Sequence, residues 1–398
     1  MRVGSPGFIP GRLIEVREAR SVGTQIGLSN LVGKPQASIS RWESGEATPE
    51  SDALDLLAER LNVRRSHFLR PVPDHGSGAF FYRAKRNIEK VVQARERARI
   101  RWLQDISFAV QHYFEFPKFE VPDFLQGESY ATLRDDDIER IALELRSHWK
   151  IGEGPITNMV ALLEARGFVV VCDLVGSARL DGVCNWSNVD QRPYILLAKD
   201  KESFFRSQMD AAHEMGHALL HRGVDQESFD RDFKLIEEQA FRLASAFLMP
   251  PTTFPLEVRN KTLSGFIALK ERWRVSAKAM IKRCSDLAIL DAEAATQLYK
   301  YYSARGWNRG EPLDDLFRAD DPRLLAKAIK TLVEQNIRSK ADLLANEFTL
   351  PASDVEQLTG LPEGWFDQQG ELVQFQLRAR SGAKGEGGQV FNFPGPKR

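Results

Sequence analysis

A cluster of histidines near the middle of the chain has the spacing of a metal site. His213, His217 and His221 fall within nine residues, and Glu214 follows the first of them. Apolar residues recur at helical spacing through this stretch, which predicts a helix. On one face of that helix, His213 and His217 can bind a single Zn²⁺ at about 2.0–2.1 Å, while Glu214 faces the open coordination position. Glu214 can then take a proton from water and pass it to a leaving amine.

A catalytic zinc requires a third protein ligand, and the chain offers acidic residues further on. Residues 234–249 carry an inward apolar stripe and are followed by two prolines, which predicts a second helix. Glu237 and Glu238 lie near its start, so the pattern leaves both as candidates. His221, two turns from His213, is interpreted as a histidine at the helix end and not as a ligand.

These two helices carry motifs in a fixed order. His-Glu-Met-Gly-His at 213–217 precedes Glu-Glu-Gln-Ala-Phe and the closing Leu-Met-Pro of residues 237–250. In this order and spacing the chain resembles the ImmA/IrrE metallopeptidase family. The resemblance implies a zincin-like α+β domain over 129–255, Glu237 as the third zinc ligand of a gluzincin-like site, and Glu214 as the catalytic residue. Phe241 stands where many members of the family carry a small polar residue.

Short apolar stretches around the histidine helix predict strands at 168–172, 181–186 and 192–198. In zincin-like folds a strand such as the last one lies at the sheet edge and can pair with extended substrate, so 192–198 is predicted as an edge strand. Tyr194 on this strand is a hypothetical oxyanion donor.

The first 70 residues carry a separate pattern of five short predicted helices. Thr24 is a plausible N-cap, Gly33 supplies a turn, and Ile39 is inward-facing in the following helix. With the run Ile-Ser-Arg-Trp-Glu-Ser-Gly at 39–45, residues 8–70 resemble the lambda-repressor-like (XRE) helix-turn-helix family. The resemblance implies DNA binding, and docking to a protein is the alternative use of the same fold.

The second helix of this motif would enter the major groove of a double-stranded operator. By position, the resemblance implies base-edge contacts from Gln36, Ala37 and Arg41, and phosphate contacts from Gln25, Ser38 and Ser44. Gln and Arg suit two-point contacts with adenine and guanine. The resemblance also implies that Glu43 pairs with an arginine of the first helix, such as Arg17, and contacts no base.

The remaining segments have less specific patterns. Residues 71–128 are predicted to contain an arginine-rich helix from Arg83 onward, interpreted as a solvated connector or as extra phosphate contact, followed by a Pro/Phe strap. Residues 256–378 show helical spacing and are predicted to form a sensor or dimerisation region. Residues 379–398 are rich in glycine and charge and predict a flexible tail.

The composition excludes several classes of protein. With 42% hydrophobic and 28% charged residues, the chain is neither a disordered chain nor a collagen-like or coiled-coil rod. Its apolar stretches are too short to span a bilayer, the first ten residues lack the apolar core of a signal peptide, and three scattered cysteines form no disulfide framework. A soluble, cytoplasmic protein without a membrane partner is expected.

The net charge is zero, yet residues 1–102 carry 18 Lys and Arg against 11 Asp and Glu, which favours a polyanion-binding module.

Together these features predict a multidomain, mainly α protein with a small β-sheet. The expected function is a bacterial transcriptional regulator that binds DNA, as a homodimer, and cleaves a repressor-type protein in cis or in trans with a zinc-dependent endopeptidase domain. Two alternatives remain open at this point. The zincin domain could be a non-proteolytic sensor or dimerisation scaffold, or the protein could belong to an antitoxin or defence system.

Overall fold

The computed structural model describes residues 4–84, 89–175, 180–199, 203–318 and 321–367. The amino-terminal module contains α1 (Pro10–Ala19), α2 (Gln25–Val32), α3 (Gln36–Ser44), α4 (Ser51–Arg60) and a 3-10 helix (Arg65–Leu69). The amide of Gly27 donates to Thr24 Oγ1 at 3.0 Å, which caps α2, and Gly33 ends that helix at φ 62°. The five predicted helices are confirmed, the fifth being 3-10.

A four-stranded mixed sheet follows, built from β1 (Phe81–Ala84), β2 (Val169–Asp173), β3 (Leu180–Ser187) and β4 (Arg192–Ala198). The strand order is β1-β3-β4-β2, with β4 antiparallel to β3 and parallel to β2. The prediction that 192–198 is an edge strand is therefore wrong. Its two sides are taken by β3 and β2, and the outer strands of the described sheet are β1 and β2.

Strand β1 was not predicted, because it comes from the arginine-rich stretch that suggested a helix. Arg83 lies in this strand, while Lys85 and Arg86 lie outside the described residues. The strand pairs with β3 through Phe81 opposite Cys184 and Tyr82 opposite Val183. Four residues give too short a pattern to distinguish a strand from a loop, so only the pairing with β3 defines it.

The arginine-rich helix α5 (Lys90–Gln111) is a core element, not a solvated connector. Trp102, Leu103 and Ile106 on it are buried, and the helix contacts α1, β3 and β4. Even Arg99 is buried, and its Nε donates to Asp173 Oδ2 of β2 at 2.5 Å. A count of charges along the sequence cannot show which arginines meet a buried carboxylate in the fold.

The remaining α-helices of the described chain continue to the carboxy-terminal region. They are α6 (Asp135–His148), α7 (Met159–Ala165), α8 (Phe204–Leu220), α9 (Gln226–Leu248), α10 (Phe254–Glu257), α11 (Leu263–Trp273), α12 (Ala277–Asp286), α13 (Ala292–Ala304), α14 (Leu324–Glu334), α15 (Lys340–Asp342) and α16 (Ala352–Thr359). Short 3-10 helices lie at Tyr130–Thr132 and Asp314–Leu316, and a π-helical segment spans Leu343–Phe348. In the described part of the chain, no helix combines the length and apolar character needed to cross a bilayer.

Helices α8 and α9 pack closely against each other beside the metal motif. A Cβ added to Gly216 of α8 would lie 3.0 Å from both the Cα and the carbonyl oxygen of Ala240 on α9. A glycine at this position therefore lets the two backbones approach, which brings a residue of α9 next to the histidines of α8.

The carboxy-terminal helices pack against the amino-terminal module. Asp354 of α16 accepts hydrogen bonds from Arg20 at 2.6 and 3.0 Å and from Arg99 at 3.5 Å. His67 of the 3-10 helix contacts Thr349, with 3.1 Å between Nδ1 and Oγ1. Helices are present through much of residues 256–378, as predicted, and residues up to Phe366 form one unit. The predicted flexible tail, 379–398, lies outside the described residues.

Candidate metal centre

The two motif histidines lie on α8 with their ring nitrogens directed at each other. His213 and His217 are fully buried, and their Nε2 atoms are 3.0 Å apart. One helical turn separates them, so both side chains leave the same face of α8. Phe81 of β1 stacks on the His217 ring, with centroids 4.8 Å apart and planes 7° from parallel, which fixes the orientation of that imidazole.

Glu237 on α9 completes the group. Its carboxylate oxygens lie 3.5 Å from His213 Nε2 and 3.2 Å from His217 Nε2. Burial alone would raise the pKa of this carboxyl, but hydrogen bonds and charge from the two histidines hold its pKa well below the usual range. The neighbouring Glu238 has a side chain 65% exposed and faces Lys234 at 3.7 Å. The two acidic candidates are thus separated by geometry.

The three side chains form a donor set that suits a catalytic zinc. One ligand atom from each of His213, His217 and Glu237 lies within 4.8 Å of the others. Two imidazole nitrogens and one carboxylate oxygen match the preferences of Zn²⁺, and three protein ligands leave one position for water or substrate. The residues present therefore fit this ion.

Glu214 lies next to the first histidine on α8 and is fully buried. Its carboxylate sits over β3 at Gly182, where an added Cβ would come 2.5 Å from Glu214 Oε1. Only a residue without a side chain leaves this space open. Burial, and then the nearby Glu214 charge, raises the pKa of Cys184 on the same strand well above its usual value. Cys184 is not part of the group of converging ligand atoms found among the described residues.

His221 lies at the carboxy-terminal end of α8, as predicted, and contacts the ring nitrogen of His217 that faces away from His213. Its Nδ1 lies 3.3 Å from Nδ1 of His217, and its Nε2 lies 3.0 Å from Oε1 of Gln239. Burial, and then the neighbouring His217, lowers the pKa of His221 to about 3. A neutral His221 accepts the Nδ1 proton of His217 and donates to Gln239, which in turn donates to the carbonyl oxygen of Tyr130 at 2.7 Å. Such a chain fixes the ligand tautomer.

Two of the residues around the metal group gave no signal in the sequence. Gly182 and Phe81 act through contacts across the fold and belong to neither motif, whereas Gln239 lies in the Glu-Glu-Gln-Ala-Phe motif with no role assigned to it there. Tyr194, proposed as an oxyanion donor, donates its hydroxyl to Asp190 Oδ2 at 2.6 Å, so that hydroxyl is committed to a neighbouring carboxylate.

A cleft of about 1050 Å³ opens beside the metal group. Glu237 lines it together with Phe241, whose ring is 39% exposed and lies 4.3 Å, centroid to centroid, from that of His213. Tyr82 of β1 lines the same cleft. A substrate that reaches the histidines would therefore pass an aromatic residue on α9 and the outer strand of the sheet.

The predicted DNA contacts lie on the two helices of the helix-turn-helix motif. Residues Gln36, Ala37, Arg41 and Ser44 are exposed on α3, whereas Ser38 and Gln25 are partly buried. The predicted pair between Glu43 and α1 is confirmed, since Arg17 Nε donates to Glu43 Oε1 at 2.6 Å. Gln25 Nε2 donates to the other oxygen of Glu43 at 3.0 Å.

Comparison with known families agrees with both parts of this description. Residues 15–68 match the helix-turn-helix family, and residues 163–285 match the IrrE N-terminal-like domain of peptidase family M78. The second match ends in α12, whereas the sequence-based boundary lies at 255. No curated protein matches the chain. The chain therefore joins a helix-turn-helix DNA-binding domain to an M78 metallopeptidase-like domain, and both resemblances seen in the sequence are confirmed.

Proposed function

We propose that this protein is a DNA-binding regulator whose M78 domain is a zinc-dependent endopeptidase. The observation that carries the proposal is the convergence of His213, His217 and Glu237, with Glu214 on the same helix. A buried group of two imidazoles and one carboxylate is the arrangement of a catalytic metal site with an open position.

Zn²⁺ at this site would supply Lewis acidity, which polarises a scissile carbonyl and acidifies water. His213, His217 and Glu237 would hold the ion, and His221 keeps the His217 proton on Nδ1. Glu214 accepts the proton of the attacking water and delivers it to the nitrogen of the leaving amine. The space over Gly182 sets where the Glu214 carboxylate stands during this transfer.

The substrate proposed is a polypeptide in extended conformation, specifically a helix-turn-helix repressor or this chain itself. Strand β1 is an outer strand of the described sheet, and its Phe81 contacts His217. Strand addition to β1 would bring a peptide backbone past the metal group, using main-chain hydrogen bonds that require no particular sequence.

On the DNA side, we propose that α3 enters the major groove. Gln36, Ala37 and Arg41 would face base edges, while a phosphate-facing set would comprise Gln25, Ser38 and Ser44. One such module reads a half-site, so a homodimer on a two-part operator is proposed as well.

The test combines the purified zinc-supplied chain with an equal amount of its Glu214→Gln variant grown in ¹⁵N medium. Intact-mass spectrometry then separates cleavage in cis, which appears only in unlabelled chain, from cleavage in trans, which also appears in the heavy variant. A peptide library prepared from a bacterial proteome covers other substrates. We expect new cleavage products with the wild type and none with Glu214→Gln alone.

A wild-type chain that binds zinc and yields no product in any of these mixtures would contradict the peptidase proposal. The M78 domain would then be assigned the alternative role of a sensor or dimerisation scaffold.

A further inference from the structure

The cleft beside the metal group is walled in part by the DNA-binding domain of the same chain. On one side α9 contributes Glu237 and Phe241, and on the other the helix-turn-helix module contributes Arg17, Glu18 and Gly23. We call these last three residues the module wall. A ligand that fills the cleft therefore meets both domains.

The module wall is held in place by α5. Arg97 Nη2 contacts Glu18 at 3.2 and 3.1 Å. Gly23, in the turn after α1, approaches Val91 so closely that a Cβ there would lie 2.7 Å from Val91 Cγ2. Since α5 is itself buried in the protein core and contacts both α1 and the sheet, it packs the module wall directly against the metal domain.

Arg17 connects the module wall to the helix predicted to enter DNA. It lines the cleft, and its side chain is held by Glu43 of α3 at 2.6 Å and by the carbonyl oxygen of Val22 at 3.0 Å. Both side chains of the pair are at most 10% exposed, so water screens their attraction little. Glu43 also binds Gln25, one of the residues proposed to contact phosphate. The cleft and the DNA-facing surface thus share one polar cluster, Arg17–Glu43–Gln25.

We infer that a polypeptide in the metal cleft and DNA on the helix-turn-helix module bind antagonistically. An occupant of the cleft contacts Arg17 and Glu18 and competes for the groups that hold α1 to α3, which disturbs the placement of the DNA-reading helix. Linkage is reciprocal, so DNA must weaken occupancy of the cleft by the same factor, and couplings of this kind are typically about 5–150-fold. The inference rests on the proposed function for the identity of the two ligands.

The test fills the cleft covalently, and so requires neither zinc nor a substrate. Glu238, which lines the cleft and is exposed, is changed in Glu238→Cys and the introduced thiol is alkylated with a 2-kDa polyethylene glycol maleimide. Selective labelling is feasible because burial raises the pKa of the native thiols, to about 12 for Cys172 and Cys284 and well above its usual value for Cys184. Glu227→Cys is the matched control, since residue 227 is an exposed glutamate of the same helix that does not line the cleft.

DNA affinity is measured by fluorescence anisotropy on a duplex that the full chain selects from a random library. We expect the polymer at position 238 to weaken binding at least fivefold, and the polymer at position 227 to change it less than twofold. Bound DNA should slow alkylation of the thiol at 238 by N-ethylmaleimide and leave the thiol at 227 unaffected. Equal DNA affinity with and without the polymer at 238 would overturn the inference.

A second variant tests the route through the module wall. Arg97→Ala removes the contact that holds Glu18 against α5, so the module wall can move when the cleft is filled. The loss of DNA affinity that the polymer at position 238 causes, which we call the penalty, should then shrink at least threefold. Arg65→Ala removes an exposed ion pair with Asp55 elsewhere in the module and should leave the penalty unchanged. An undiminished penalty in Arg97→Ala would overturn coupling through this wall.

Failure of the full chain to select any duplex would instead contradict DNA binding itself, and loss of peptide cleavage has no bearing on this experiment.

Discussion

The metal group and the DNA-facing surface are built in opposite ways. His213, Glu214 and His217 are completely buried, and each is held by neighbours from other elements. Arg41 and Gln36 are exposed on α3, where a partner would supply the contacts that define their roles. A buried site is specified by its own fold, so its geometry can be read before any ligand binds. An exposed reading surface is specified only together with the molecule it reads.

The largest expected effect is in the buried site. Glu214→Gln removes the proton acceptor while keeping the shape of the side chain, so peptide cleavage should fall about 10²–10⁴-fold. Zinc content, measured on the same sample by mass spectrometry, should stay at the wild-type level because Glu214 is not among the three proposed ligands. Cleavage at the wild-type rate would assign the proton transfer to another group.

Gly182→Ala tests whether the close approach of β3 at Gly182 determines the position of the Glu214 carboxylate. The added methyl would lie 2.5 Å from Glu214 Oε1 and must displace the carboxylate. A displacement of about 1 Å is expected to cost about 10²-fold in cleavage, again with zinc retained. Gly78→Ala is the matched control, because an added Cβ there meets nothing within 4 Å. If both variants cleave alike, the carboxylate is not positioned by this strand.

On the exposed side, Arg41→Ala should weaken binding to the selected duplex by about 1–3 kcal/mol and leave binding to unrelated DNA nearly unchanged, since a base contact carries the specificity. Ser44→Ala, which removes a proposed phosphate contact, should weaken both duplexes by the same factor. Anisotropy titrations at one salt concentration measure all four affinities. An equal loss on both duplexes for Arg41→Ala would place Arg41 on the phosphate backbone.

The smallest effect concerns the local structure under the reading surface. Thr24→Ala removes the cap of α2 and should cost about 1 kcal/mol, which accelerates hydrogen exchange of the first amides of α2. Thr24→Ser keeps a hydroxyl acceptor for the Gly27 amide and should exchange as the wild type does. Unchanged exchange in Thr24→Ala would show that packing, and not the cap, holds this end of the helix.

The sequence was informative where function depends on spacing within one helix. His213 and His217 could be assigned to one face because four residues make about one helical turn, and Thr24 and Gly33 have residue types that mark helix ends. Contacts between elements were predicted only where a family resemblance supplied them, as for Glu237 beside the histidines and for the pair of Arg17 with Glu43. Nothing local shows that Gly182 faces a carboxylate.

The errors have the same physical origin. The strand 192–198 has the composition of any buried strand, and its internal place in the sheet depends on pairing with β3 on one side and with β2 on the other. The arginines of α5 resembled a solvated face because the carboxylates that pair with them, such as Asp173, belong to other segments. Pairing between segments that are distant in sequence decides such cases, and no short stretch of a single sequence shows which segments pair.

The most direct test of the account is the zinc content of the full chain and four variants, measured by inductively coupled plasma mass spectrometry after zinc is supplied and excess removed. We predict about one zinc per chain in the wild type, in Glu214→Gln and in Glu238→Gln, and loss of zinc in His213→Ala and Glu237→Gln. A wild-type chain without zinc, or a Glu238→Gln variant that loses as much as Glu237→Gln, would contradict the metal centre described here.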